Sequence, residues 1–234
     1  MDEEYLDDWP GVDEGAEVIR AYECNSKLKP QDAQIHFDYG VGFMEWGTGL
    51  EGHAIEAFKA AARLRPSWSA AHFQLGLAYA SANQREEAVE SYKQALRLKP
   101  GDTDTLAALA HAFLLLGRFS ESEQAALRMV EASPLDSGSH FILGMAQLLQ
   151  ERYADESLRR AVSLEPGLAE ACYGIGLAAI DLGNKSVAQL QHERLTELDQ
   201  RLAGKLIEHW QHGGFTPAEV INCLFETSAA QNQN

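Results

Sequence analysis

Apolar and polar residues alternate along the chain in repeated pairs of amphipathic segments. In residues 69–100, apolar or aromatic positions recur three or four residues apart, first around Leu75 and Tyr79 and then around Tyr92. A polar stretch at 81–84 separates the two runs. Residues at this spacing share one face of an α-helix, so the pattern predicts two helices joined as a hairpin.

A proline closes five helical segments at a nearly constant interval. The closing prolines are Pro30, Pro66, Pro100, Pro134 and Pro166. They are separated by 36, 34, 34 and 32 residues. A fixed period of this length is typical of stacked supersecondary units, so the sequence predicts an all-α solenoid. The unequal intervals are explained by two residues inserted in the turn at 46–49 and two removed from the turn after Gln147, because surface turns tolerate such changes.

The hairpin resembles the tetratricopeptide repeat (TPR). The resemblance is carried by Leu75, Gly76, Tyr79, Ala88, Tyr92, Ala95 and Pro100, and the matching first-helix positions of the other units include Tyr39, Gly40 and Phe43; Leu109, Ala110 and Phe113; Leu143 and Gly144; Ile175 and Gly176. The third unit departs from the pattern at Ser122 and Met129, and the fifth has Gln200 in place of the closing proline. The resemblance implies a right-handed superhelical solenoid of about five helix hairpins with capping helices at both ends.

The repeat pattern also predicts how the chain is divided. We expect an acidic, disordered tail at 1–13, an N-terminal capping helix at 14–30, TPR-like units at 31–66, 67–100, 101–134, 135–166 and 167–200, a capping helix at 201–213, and a short helix with a polar tail at 214–234. The sequence leaves open whether residues from about 186 to 211 form one long helix or two helices broken near Gln200.

In this family the first helix of each unit lines the inner curve of the superhelix, and the resemblance therefore implies a binding groove. The residues expected to line it are Phe37, Val41, Met44, Phe73, Leu77, His111, Leu114, Phe141, Met145, Leu148, Tyr173, Leu177 and Ile180. Nearly all are apolar, and a large exposed apolar patch indicates an interaction site. Such a groove suits an amphipathic helix or an extended hydrophobic segment of a partner. The alternative is that these side chains are simply core.

One known use of the family is disfavoured by the residues in this groove. Members that bind the acidic tails of heat-shock chaperones hold the terminal carboxylate with Lys, Asn and Arg. The matching positions here are Phe37, Val41, Gln74, Asp104 and Ala108.

The clearest local helix signal lies near the C-terminus, after a pair of glycines. Thr216 suits the N-cap, Pro217 the first helical position, and Glu219 completes a capping box. The predicted helix, about 216–228, places on one side Val220, Ile221, Leu224 and Phe225. A helix this short needs a docking surface. We expect it on the end of the array in preference to the groove; a neighbouring chain is a third alternative.

The charge and the cysteines limit the possible partners and locations. The net charge of −16, with seven acidic residues in the first fourteen, argues against nucleic acid as a partner. No apolar run is long enough to span a membrane, and the acidic N-terminus is unlike a signal peptide. Cys24, Cys172 and Cys223 are odd in number and widely spaced, which favours free thiols in the cytoplasm.

The sequence offers no catalytic residues, no cofactor site and no metal site. It has no phosphate-binding loop and no nucleophile motif, and the pair His209 and His212 lacks a third ligand in register. His36, His72 and His140 recur at one position of their units, which indicates packing.

The sequence therefore predicts a non-enzymatic scaffold or adaptor that binds a partner protein or peptide in an apolar concave groove. The alternatives are a structural protein that self-assembles through the array ends or the C-terminal helix, and a holding chaperone for secreted or aggregation-prone subunits.

Overall fold

The structure is a computed structural model that describes residues 14–46, 49–150 and 155–226. Within these ranges all regular structure is helical. The predicted acidic tail, part of the inserted turn, the shortened turn and the polar C-terminal tail lie outside the described residues. No helix in the described part of the chain is both long enough and apolar enough to cross a membrane.

The helices fall into two compact units, residues 1–100 and 101–234. The first unit contains α1 (Glu14–Leu28), α2 (Ala33–Glu45), α3 (Glu51–Leu64), α4 (Ser69–Ser81) and α5 (Arg85–Leu98). The second contains α6 (Thr103–Leu115), α7 (Phe119–Ala132), α8 (Ser137–Leu148), α9 (Asp155–Leu164), α10 (Ala169–Asp181), α11 (Lys185–Leu198), α12 (Gln200–His212), α13 (Pro217–Ile221) and a π-helical turn (Asn222–Glu226). Helices α2 to α11 pair in order as five hairpins, α1 packs on α2, and α12 packs on α10 and α11.

The glycine in two of the hairpins lies where the two helices approach most closely. A Cβ atom added to Gly76 would lie 2.4 Å from a ring carbon of Tyr92, and one added to Gly40 would lie 2.6 Å from Phe58. In both hairpins an aromatic ring of the second helix fills the space that a glycine Cβ would need. The close helix crossing therefore requires glycine at these two positions.

A residue with positive φ follows the first helix in three of the hairpins. These residues are Asn83 (φ 58°), Gly117 (φ 70°) and Gly183 (φ 67°), at equivalent places in their units. The left-handed conformation satisfies the last carbonyl groups of a helix and turns the chain sharply. The N–H of Gln84, for example, donates to the carbonyl oxygen of Tyr79 at 2.8 Å.

The recurring histidines hydrogen-bond to the closing prolines. The Nε2 atoms of His72 and His140 lie 3.0 Å from the carbonyl oxygens of Pro66 and Pro134, six residues earlier. His36 has the same arrangement at 3.4 Å, and its Nδ1 accepts from the hydroxyl of Tyr22 at 2.9 Å. The hydrogen bond of this histidine therefore links the start of a unit to the proline before it.

Two buried polar groups at the start of α7, in the third hairpin, have hydrogen-bond partners. Ser122 stands where the family usually has alanine, and its buried hydroxyl donates to the carbonyl oxygen of Ala110 at 2.9 Å. The buried carboxylate of Glu123 accepts from the side-chain amides of Gln147 at 3.3 Å and Gln150 at 3.1 Å. These bonds satisfy polar groups that burial would otherwise destabilise.

Residues 185–212 form two helices, which settles the alternative that the sequence left open. Asp199 ends α11, and its carboxylate accepts from the backbone N–H groups of Arg201 at 2.9 Å and Leu202 at 3.0 Å. One residue is thus both the C-cap of α11 and the N-cap of α12. Aspartate is a preferred N-cap because its carboxylate satisfies N–H groups that have no partner inside the helix.

Candidate functional site

In the first unit, the residues expected to line the groove keep part of their surface in solvent. Phe37, Val41, Met44, Phe73 and Leu77, together called the first-unit face, are half-buried. They lie on α2 and α4, which contact each other. The ring of Phe37 stacks on that of Trp68 with 4.4 Å between centroids, so it is both held in place and partly exposed. This face combines apolar chemistry with access to solvent.

In the second unit, the corresponding residues are much more deeply buried. They are His111 and Leu114 on α6, Phe141, Met145 and Leu148 on α8, and Tyr173, Leu177 and Ile180 on α10, together called the second-unit face. Leu114, Met145, Tyr173 and Leu177 have no exposed surface, whereas His111 and Ile180 are half-buried. The fully buried four cannot touch a partner while the chain keeps this arrangement.

The C-terminal segment, defined here as residues 215–225, packs against the second-unit face. Its residues Val220, Ile221 and Cys223 are buried within the same apolar cluster as Phe141 and Tyr173. Leu224 and Phe225 pack against that cluster from its edge.

Phe225 contacts residues that are far from it in the sequence. Its ring meets the imidazole of His111 edge-on, with 4.8 Å between centroids, and lies 6.3 Å from the ring of Phe141. Phe225 therefore contacts side chains of both α6 and α8, and the C-terminal segment covers part of the face.

The start of this segment is fixed by the capping box that the sequence predicts. The hydroxyl of Thr216 accepts from the N–H of Glu219 at 3.3 Å, and the carboxylate of Glu219 accepts from the N–H of Thr216 at 2.7 Å. The bonds from Thr216 to this carboxylate, with the backbone one first, hold the pKa of the Glu219 carboxyl below its usual value. Pro217 occupies the first turn, as expected. The α-helix ends at Ile221 and continues as a π-helical turn.

Arg201 on α12 holds the other end of the segment. Its Nη1 donates to the carbonyl oxygen of Cys223 at 2.8 Å, and its Nη2 lies 3.6 Å from the carboxylate of Asp199. A cation is well placed beside the last carbonyl groups of a helix, which carry partial negative charge. Sequence reasoning missed Arg201, because nothing in its own neighbourhood indicates a partner 22 residues away.

The segment contacts the terminal helix, as expected, and it contacts the second-unit face as well. Arg201 belongs to α12, and the ring of His209, also on α12, lies 6.1 Å from that of Phe215. His111 and Phe141, by contrast, belong to the second-unit face. The array end and the face are therefore occupied together and do not exclude each other.

His209 is the buried histidine at this junction. It is 8% exposed, and its ring lies 6.3 Å from that of Tyr173. Burial lowers the pKa of its imidazole below the usual value, against the opposing effect of Glu219. His212 instead donates from Nδ1 to the carbonyl oxygen of Glu208 at 2.7 Å. Among the described residues, no cluster of three metal-binding side chains occurs.

The sequence resembles known proteins in two regions. Two sequence models described as tetratricopeptide repeats match residues 69–102 and 107–156. No curated protein sequence matches the chain.

Several solved structures share the fold. YrrB, described as a TPR protein with an unusual peptide-binding site, is 20% identical, with 80% of this chain and 98% of that chain covered and a TM-score of 0.65. MamA from Desulfovibrio magneticus RS-1 is 19% identical over 72% of this chain and 95% of that chain, with a TM-score of 0.65. TTC0263, a thermophilic TPR protein of Thermus thermophilus, is 18% identical over 76% of this chain and 98% of that chain, with a TM-score of 0.56.

These similarities and the observed hairpins define an all-α repeat solenoid, which confirms the predicted fold class. The chain contains tetratricopeptide repeats at residues 69–102 and 107–156, as the sequence indicated. Tetratricopeptide repeats are characteristic of protein–protein interaction scaffolds.

Proposed function

We propose that this protein is a non-enzymatic scaffold whose apolar first-helix residues hold a helix or an extended hydrophobic segment of a partner protein. The observation that carries the proposal is the docking of the C-terminal segment on the second-unit face. A short helix with apolar residues along one side is packed there by its own chain, in contact with His111 and Phe141. This supports the chemistry that the sequence assigned to the groove.

The first-unit face is where we propose that a partner binds first. Its five side chains keep exposed surface, and Met44 adds a flexible side chain that can adjust to different ligands. The net charge of −16 favours encounter with basic partners. The three cysteines are thiols and not disulfides, which supports a reducing compartment, and we propose the cytoplasm.

Site-specific photocrosslinking tests this proposal. A benzophenone amino acid replaces Leu77 on the first-unit face, and in a matched control it replaces Gln94, which is exposed on α5. We expect irradiation in a native lysate to give a discrete protein adduct from position 77 and none from position 94. Circular dichroism must show that both variants keep their helix content. Equal labelling from the two positions, or none from position 77, would contradict the proposal.

A further inference from the structure

We infer that the second-unit face is a binding site for a short helix, and that the C-terminal segment occupies this site as an internal ligand that a partner helix replaces. The inference rests on the proposed function and adds to it the chemistry of the partner. It commits to a helix with two adjacent apolar pairs one turn apart, the pattern that the segment itself presents at residues 220–225.

The apolar pairs are the first recognition feature. Val220 and Ile221 form one pair and are 0% and 7% exposed. Leu224 and Phe225 form the second pair, four residues further on, and pack at the edge of the same cluster. Residues four apart lie on the same side of a helix, so both pairs can be buried at once. A partner helix that fits must carry apolar residues at these four positions.

Arg201 is the second recognition feature, and it binds the main chain of the helix. Its guanidinium donates to the carbonyl oxygen of Cys223 at 2.8 Å and also lies 3.6 Å from the Sγ atom of that residue, and the shorter, main-chain bond marks the C-terminal turn of a helix. It therefore fixes the direction in which a helix lies on the face, while the apolar pairs fix its register. The same bond would form with a partner helix that enters in the same orientation.

The way in which the segment is attached favours exchange over permanent packing. Within the described residues, the helical part of the segment runs over ten residues, Pro217 to Glu226, and a helix of that length needs a surface to be stable. The segment joins α12 through Gly213 (φ 76°) and Gly214 (φ 159°), so no helix continues across the junction. A short tether gives the segment an effective concentration in the millimolar range. A partner helix must overcome that advantage, and its apparent affinity falls by the fraction of sites already occupied.

A peptide-binding experiment on the full-length protein tests the inference. The probe is a labelled peptide of residues 214–228, and binding is followed by fluorescence anisotropy. The segment variant, Leu224→Ser/Phe225→Ser, weakens the internal ligand. The matched control, Leu190→Ser/Leu198→Ser, removes two leucines that are 52% and 42% exposed on α11. We expect the segment variant to bind the probe at least about 10-fold more tightly than either the wild type or the control, because its site is less often occupied.

Two further substitutions, one in the protein and one in the probe, distinguish specific docking from nonspecific apolar binding. Adding Arg201→Met to the segment variant keeps an apolar stem but removes the hydrogen bond to the carbonyl, and we expect weaker binding of the probe. A probe that itself carries Phe225→Ser should bind the segment variant at least about 10-fold more weakly than the unchanged probe, since it lacks the ring that meets His111. Equal affinity of the wild type, segment variant and control would overturn the inference. So would a segment variant that binds no probe at about 1 mM.

Hydrogen exchange on the wild type gives an independent reading that requires no folded variant. We expect the amides of residues 220–223 to exchange through a local opening, faster than the amides of α10. If they exchange only with global unfolding, the segment is permanent core and the inference fails. The proposed function is tested separately at Leu77, in the first unit, so either idea can fail alone.

Discussion

Replacing Gly76 by alanine tests whether the hairpins depend on close helix contact. The added Cβ would lie 2.4 and 2.5 Å from two ring carbons of Tyr92. Ordinary carbon contacts are about 3.5 Å or longer, so the ring would have to move by about 1 Å. Tyr92 is only 2% exposed and its ring is rigid, so it has little room to move. We therefore expect Gly76→Ala to be destabilising.

The expected magnitude is the difference between two opposing terms. Overpacking of a well-packed core costs about 1–3 kcal/mol, and a contact this short belongs in the upper half of that range. Alanine is a better helix former than glycine, and this difference offsets about 1 kcal/mol of the overpacking cost. The net loss of unfolding free energy is then about 1–2 kcal/mol. For a chain of this size that corresponds to a fall of roughly 2–8 °C in the melting temperature.

Gly42→Ala is the matched control, since its added Cβ would have no tertiary contact within 4 Å in the described part of the chain. It should leave the protein unchanged or stabilise it by up to about 1 kcal/mol, through helix propensity alone. Both variants are compared with the wild type by urea unfolding followed by far-ultraviolet circular dichroism. In a Tyr92→Ala background the cost of Gly76→Ala should disappear, because the obstructing ring is gone. The reasoning is refuted if Gly76→Ala is as stable as Gly42→Ala.

Three further outcomes are expected, each checked by urea unfolding. Ser122→Ala should change the unfolding free energy by less than about 1 kcal/mol, since alanine is usual there and one neutral hydrogen bond is lost; a larger loss would mean that the bond to Ala110 is essential. Asp199→Ala should cost about 0.5–2 kcal/mol through the lost N-cap, and an unchanged midpoint would contradict that role. The lowered pKa of His209 means that the native state favours the neutral imidazole. The stability that this preference contributes is fully present above the ordinary histidine pKa of about 6.5 and is lost as the pH falls below it. The wild type should therefore lose more stability than His209→Gln between about pH 7.5 and pH 5.5, and equal losses would exclude the effect.

The hairpins could be predicted from sequence because their signals are local. Apolar spacing, the glycine at the helix crossing and the closing proline lie within one repeat, so Leu75, Gly76 and Tyr92 could be assigned from the amino-acid sequence alone. The break at Asp199 had a local signal as well, since aspartate is a good N-cap. It was obscured because the leucines on either side, such as Leu198 and Leu202, keep their helical spacing across it.

What covers the second-unit face could not be predicted in the same way. Periodicity indicates that Met145 and Leu177 lie on an apolar face, but it does not say whether solvent, a partner or the same chain covers that face. Here the covering residue Phe225 is far from His111 in sequence, and the bond from Arg201 to the Cys223 carbonyl involves a backbone atom, which no side-chain pattern can reveal. Long-range packing therefore decides which predicted contacts are exposed.

Leu206 has a consequence for how this array could change in length. In the second and fourth hairpins the glycine packs on a residue of its own second helix, as Gly144 does on Leu158, but a Cβ added to Gly176 would meet Leu206 of α12 at 2.6 Å. In the last hairpin, the space beside the glycine is thus filled by a residue of α12, which lies outside the hairpin. A different hairpin inserted between α11 and α12 would separate Leu206 from its seat, whereas a hairpin inserted before α10 would leave the seat intact. This array can therefore be lengthened only if the hairpin next to α12 still offers a glycine to Leu206.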